Sequence, residues 1–279
     1  MQAHSYNPEM NLDLPMNEGL WFLIGTVLVG IGTFVSFLSN RNSTFSRRGV
    51  QLLLGFALIA LSLFLLQRGE IIHRCPLTNG FEATVFLTWG LILTYFLIGT
   101  SYQLSILGSF TAPLALLFLV LAGLFASDQP STNLDPIRWS SEFHAAISIL
   151  SYGTLGLAAI CSGMYLIQEH HLKNHTFSGW FNRLPSMGDL EIVLHRLLRW
   201  GFLLMTLGML SGLASGLFNQ VSSVKLLWAT IVWIWYFGLL LSPSLLRLSH
   251  RRFAWAALLG YFLVLLSFWI MNSLLGKNP

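Results

Sequence analysis

His144 opens a long apolar stretch and is followed by Ser148, Ser151 and Tyr152. These lie at i+4, i+7 and i+8, so all four residues share one helical face. An imidazole backed by hydroxyls suits an iron ligand with hydrogen-bond donors around it. It equally suits interhelical hydrogen bonding, which polar residues of membrane helices supply routinely. From these residues alone both readings stand.

A second constellation runs Arg74-Cys75-Pro76-Leu77-Thr78-Asn79-Gly80-Phe81-Glu82, then Phe86 and Trp89. Asn79 is placed to cap a helix, and Glu82 falls at its third position, which makes a capping box. Phe86 and Trp89 follow Glu82 at i+4 and i+7 and share its face. A carboxylate just inside an apolar boundary, above two aromatics, suits a site for a flat amphiphilic ligand. Capping plus aromatic packing is the alternative.

The remaining polar residues are less specific. His73 lies three residues before Pro76 and is a candidate partner for His144. His170, His171 and His175 fit no strict ligand spacing and read as solvated, as do His195 and His250 at helix ends. Cys75 and Cys161 form no CxxC, so neither a disulfide framework nor a thiolate zinc site is indicated. Gly208, Gly212 and Gly216 recur every four residues, a small-residue stripe for close helix contact. Lys225 precedes Trp228, Trp233, Trp235 and Tyr236. It can snorkel at a membrane rim or, like Arg74 and Arg138, pair with a ligand carboxylate.

The elements that must position these groups are membrane helices. Of 279 residues, 54% are hydrophobic and only 9% charged, against about a quarter charged in soluble domains. This excludes a disordered chain and argues against a soluble enzyme. Crossing a bilayer takes roughly 20 apolar residues. Eight such segments are expected, at 19–38, 49–67, 82–99, 103–126, 142–168, 196–217, 225–243 and 253–275. Residues 1–18 hold no Lys or Arg, unlike a secretory n-region, so 19–38 reads as a retained span.

Lys and Arg concentrate on the cytoplasmic side of membrane proteins. With the N-terminus outside, the inner side holds Arg41, Arg47, Arg48, Lys173, Arg183, Arg196, Arg199, Arg247, Arg251 and Arg252. The outer side holds Arg68, Arg74, Arg138, Lys225 and Lys277. The expected architecture is an all-α integral membrane protein, eight transmembrane helices in one bundle, both termini extracytoplasmic. Residues 1–18 form an outer segment, 19–275 the membrane domain and 276–279 a short tail. There is no internal repeat and no extramembrane module.

Taken in order, these motifs resemble the membrane family of cytochrome c assembly proteins, the CcsA-like and HemX-like haem-handling group. Pro76-Leu77-Thr78-Asn79-Gly80-Phe81-Glu82, running to Phe86 and Trp89, is similar to that family's Pro-x-Ser-Asn-x-Tyr-Glu-Ser signature before a Phe and a Trp. Leu107-Gly108-Ser109 to Ala112-Pro113-Leu114-Ala115 resembles its fourth span. His144 through Ser151-Tyr152 resembles its histidine and Ser/Ala-Tyr pair, and Lys225, Trp228 and Trp233 the end of its tryptophan-rich segment. The likeness spans about 70–270. There are departures. At Asn219-Gln220-Val221-Ser222-Ser223-Val224-Lys225-Leu226 the family's tryptophans and its Asp-Pro-Lys-Glu ending are absent. A second outer histidine after the last span is absent too.

The resemblance implies haem as cofactor, with His144 as iron ligand. Asn79 and Glu82 would fix the entrance, Trp89, Trp228 and Trp233 would pack on the porphyrin, and Arg74, Arg138 or Lys225 would meet the propionates. It implies a haem-handling component of cytochrome c biogenesis in a bacterial plasma or thylakoid-type membrane. Such a chain performs no covalent catalysis of its own. The implied partners are haem, apocytochrome c or a biogenesis protein, and membrane lipid, without nucleic acid. The alternatives are a HemX-like regulator of tetrapyrrole synthesis, acting through its inner loop around Lys173 and Arg183, and a small-solute transporter, which the lack of repeats disfavours.

Overall fold

A computed structural model describes residues 16–38, 44–99, 107–124, 139–174, 186–215, 223–245 and 248–275. They form eight α-helices: α1 (Met16–Leu38), α2 (Thr44–Ile72), α3 (Gly80–Thr94), α4 (Leu107–Leu124), α5 (Trp139–Lys173), α6 (Met187–Ala214), α7 (Ser223–Leu245) and α8 (His250–Leu275). A single π-helical turn, Tyr95–Gly99, follows α3. No strand occurs among the described residues. In hydrocarbon every backbone amide must be satisfied within its own segment, which selects helices for a chain this apolar.

The first six helices are each long and apolar enough to cross a bilayer, whereas α7 carries the shorter apolar stretch Leu226–Ser242. The side chains of α8 are described only to residue 266. Several boundaries move from the sequence expectation, and two of them bear on charged residues. The sixth helix begins at Met187, nine residues before the expected 196. Its first turns carry Asp189, Glu191 and His195, and these charges dilute the apolar signal there. The second helix runs to Ile72, so Arg68 is not in an outer loop as its charge suggested. It lies within α2 and is 6% exposed.

At the centre stands α5, packed on α3, α6 and α8, while α1 packs on α2 and α4. Two glycine contacts set its neighbours. A Cβ at Gly153 would sit 2.8 Å from the Leu91 backbone nitrogen, so α3 and α5 touch backbone to backbone. One at Gly201 would sit 2.6 Å from Leu155 Cδ2, so Leu155 keys into α6. Several hydroxyls in the spans are turned onto their own helices. Thr84, Thr88 and Thr94 of α3 each donate to the carbonyl four residues earlier, which hides a hydroxyl in an apolar setting.

Candidate functional site

The α2–α3 corner is built around Glu82. Asn79 caps α3 by accepting the Glu82 backbone N–H at 2.8 Å. The Glu82 carboxylate is fully buried and its acceptors are occupied. Arg68 Nε donates to Oε1 at 2.8 Å. The Thr78 backbone N–H and hydroxyl donate to Oε2 at 2.8 and 2.7 Å. The carboxylate of the capping box thus reaches back to Thr78, one residue before the cap. A charge this buried persists only when paired and hydrogen-bonded, and Arg68 supplies the pairing.

The same corner is tied to α5. Cys75 N–H donates to Glu142 Oε2 at 3.3 Å. Arg74 Nε lies 3.8 Å from Glu142 Oε1, an ion pair too long for a hydrogen bond. Burial pushes the Cys75 thiol up to about 11, with the Glu142 and Glu82 charges adding to the shift. It is a neutral, unreactive thiol at ordinary pH. His73 holds a left-handed backbone, φ 52°, and Arg74 N–H returns to the Gly69 carbonyl at 3.2 Å. That bond closes the end of α2 in a Schellman-type turn, and the imidazole is exposed.

His144 lies elsewhere on α5. Glu142 and Gly153, which face the corner and α3, are eleven residues apart and thus about 20° apart around the helix. His144 is two residues from Glu142, about 200° round. It faces α6, where Nδ1 lies 2.6 Å from the Gly208 carbonyl oxygen. The two motifs seen separately in the sequence are therefore the two halves of one seam. A Cβ at Gly212 would meet His144 Nδ1 at 2.8 Å, and one at Gly208 would meet Ser148 Oγ at 2.6 Å. Ser151 Oγ donates to the Gly201 carbonyl at 2.8 Å. The glycines of α6 make room for the polar stripe of α5. Gly216 lies outside the described residues.

The Gly208 carbonyl can only accept, so Nδ1 carries the proton and a neutral His144 presents an unprotonated Nε2. This is the arrangement by which metal-ligating imidazoles are usually oriented, with the second nitrogen bonded to a carbonyl. Thr206 is two residues from Gly208 and so about 200° round α6, and on that far side Trp233 Nε1 donates to Thr206 Oγ1 at 3.0 Å. Its ring stacks on Phe237 at 5.1 Å and tilts against Phe202 at 5.2 Å. Trp228 lies five residues, about 7.5 Å, nearer the end where His144 sits. Its indole N–H is buried and has no hydrogen-bond partner among the described residues.

The structure thus divides the sequence candidates into two groups. His144 sits at the α6 end near 208–212, whereas Trp233, on the same helix as Trp228, packs on the opposite side of α6 at Thr206. Arg74, Asn79, Glu82 and Trp89 belong to the α2–α3 corner, where Trp89 Nε1 donates to Ser62 Oγ at 2.8 Å. Arg138 and the Lys225 side chain lie outside the described residues, as does most of the inner loop, 175–185. Sequence reading missed Arg68 and Glu142, whose partners are 14 residues and 67–68 residues away. The only signal was charge placed against an apolar span.

The cytochrome c assembly protein family model matches residues 77–277. The chain belongs to that family. It is similar to the cytochrome c biogenesis protein CcsA of Prochlorococcus marinus (strain MIT 9215), 27% identical over 91% of this chain and 89% of the relative. It is also similar to CcsA of Guillardia theta, 26% identical over 73% of this chain and 75% of the relative. CcsA of Chlamydomonas reinhardtii is 31% identical over 58% of this chain and 47% of the relative. As a member of the cytochrome c assembly family the chain is an integral membrane protein of a plasma or thylakoid membrane. The family region takes in His144, Trp228 and Trp233, as well as Asn79, Glu82 and Trp89, but Arg68, Arg74 and Cys75 precede it.

Haem is the cofactor this family implies, and the α6 end fits it on one count: a positioned imidazole there offers its second nitrogen. No group of three or more His, Cys, Asp or Glu converges for a bare metal ion among the described residues. An axial bond to a porphyrin iron needs only one such residue.

Proposed function

We infer that this chain is a haem-handling membrane component of cytochrome c biogenesis, with its haem site where α5 begins and α6 ends. The carrying observation is the 2.6 Å contact of His144 Nδ1 with the Gly208 carbonyl, which fixes the tautomer that leaves Nε2 for iron. Bound haem would supply an iron that accepts an imidazole nitrogen and two carboxylate tails that seek cations. His144 would hold the iron, oriented by Gly208 and packed on Gly212. Trp228 would flank the porphyrin edge and exclude water, and Trp233 would brace α6 from its far side at Thr206. Lys225, one turn from Trp228, would meet a propionate.

In the same proposal Asn79, Glu82, Arg74 and Trp89 hold the corner against α5. All eight helices would cross the membrane with both ends outside, placing His144 on the outer side. There an apocytochrome c held by a partner protein would receive haem, without covalent catalysis by this chain.

The test is maturation in cells. Deletion of the gene should abolish haem-stained c-type cytochromes while apocytochrome persists. The wild-type chain should restore them, and His144→Ala should restore less than a tenth as much. Normal c-type cytochromes in the deletion strain would overturn the proposal.

A further inference from the structure

At the end of the bundle opposite His144, an open apolar groove of about 430 Å³ runs between α5 and α8. Gly163, Leu166, Ile167, His170, His171 and Trp255 line it. We propose that it binds an anionic phospholipid, one acyl chain lying over Gly163, Leu166 and Ile167 and the phosphate meeting the cations at its rim.

Three observations select this occupant. The first is depth. With 35 residues, α5 is about 52 Å long, well beyond a hydrocarbon core of about 30 Å. Its final turns therefore stand among headgroups while Gly163 remains at acyl depth. Trp255 is 48% exposed, as suits an indole at the membrane boundary.

The second is shape. Gly163 forms the floor, and a Cβ there would meet nothing nearer than Leu258 Cδ1 at 3.9 Å. The third is charge. Arg251 and Arg252 precede Trp255 by four and three residues and so share its face. Across the groove, Lys173 follows His170 and His171 in the last turn of α5. Against these three cations stand Glu169, which pairs with Lys173 Nζ at 2.6 Å and with Arg251 Nε at 3.7 Å, and Glu191, which lies 2.7 Å from His250 Nδ1. The two carboxylates leave an excess of one positive charge. A zwitterionic headgroup would not offset that excess, whereas an anionic one would. Basic pockets between helices on this kind of face recognise anionic headgroups.

The test uses the full chain in nanodiscs of phosphatidylcholine and phosphatidylglycerol at equal mole fraction, with retained lipid counted by native mass spectrometry. The wild type should retain phosphatidylglycerol over phosphatidylcholine by about fivefold, the yield of one net cation near a charged headgroup. Gly163→Leu fills the floor and should abolish retention. Arg252→Gln leaves the groove open and should reduce the preference by about fivefold. Both changes face outward, so the melting temperature should hold. If Gly163→Leu fails to fold, Arg252→Gln and Trp255→Ala still decide the question. Equal retention of the two lipids, or wild-type preference in Arg252→Gln, overturns the proposal. So does a haem Soret band that vanishes in Gly163→Leu, which would make the groove a porphyrin site.

Discussion

Replacing Gly212 by alanine tests the α5–α6 seam and the haem proposal together. The new Cβ would stand 2.8 Å from His144 Nδ1 and 2.9 Å from Cε1. Ordinary contacts between carbon atoms fall at about 3.5–4.0 Å, so the ring must retreat by about 0.6–1.1 Å. The obstacle is the end of a side chain rather than backbone, so the helices need not separate. What gives way is the bond from Nδ1 to the Gly208 carbonyl, now 2.6 Å. Losing one such bond costs about 0.5–1.5 kcal/mol, a modest fraction of total stability. For a metal ligand the same loss is larger in effect. Removing the group that orients a ligating imidazole typically lowers affinity by about 10- to 100-fold. Gly212→Ala should therefore keep its melting temperature within a few degrees yet bind haem at least about tenfold more weakly. Haem titration followed at the Soret band, beside a thermal melt in the same detergent, measures both. Unchanged haem affinity with the fold intact would refute the reasoning, because it would mean that the imidazole does not need Gly208.

Three further outcomes follow from the geometry. Glu82→Ala removes the carboxylate of the buried Arg68 ion pair and should destabilise the protein by about 3–5 kcal/mol. Adding Arg68→Met should recover much of that in a thermal melt, and no recovery would contradict the pairing. The Cys75 thiol, pushed up to about 11, should react with iodoacetamide about a hundredfold more slowly at pH 8 than an ordinary cysteine. Its rate should climb with pH through about 11 and rise several-fold in Glu142→Gln, as mass spectrometry of the labelled peptide would report. Gly153→Ala drives a methyl against the α3 backbone at 2.8–2.9 Å, which cannot rotate away. It should cost about 1–3 kcal/mol, against well under 1 kcal/mol for Gly238→Ala on α7, where nothing lies within 4 Å.

The helices were legible because an apolar run of membrane length has few other fates. Their ends were not, because charge at a helix end reads as loop. This is why α6 was expected nine residues late and Arg68 was assigned to solvent. The cap at Asn79 was legible because capping is local, a bond spanning three residues. The two polar motifs were visible as residues but not as partners. That Glu82 belongs to Arg68, and His144 to the glycine stripe, depends on which faces of helices meet. Sequence spacing gives the phase of a helix about its own axis but not the phase of its neighbour. The tryptophans split for the same reason: Trp89 is phased toward Ser62 of α2, and Trp233 toward Thr206 of α6.

The most direct test of the account is the absorption spectrum of the detergent-purified wild-type chain beside His144→Ala. The account predicts a Soret band in the wild type that falls by about tenfold or more in the variant at equal protein and unchanged melting temperature. A wild-type chain that takes up no haem, or a band equally strong without His144, would contradict it.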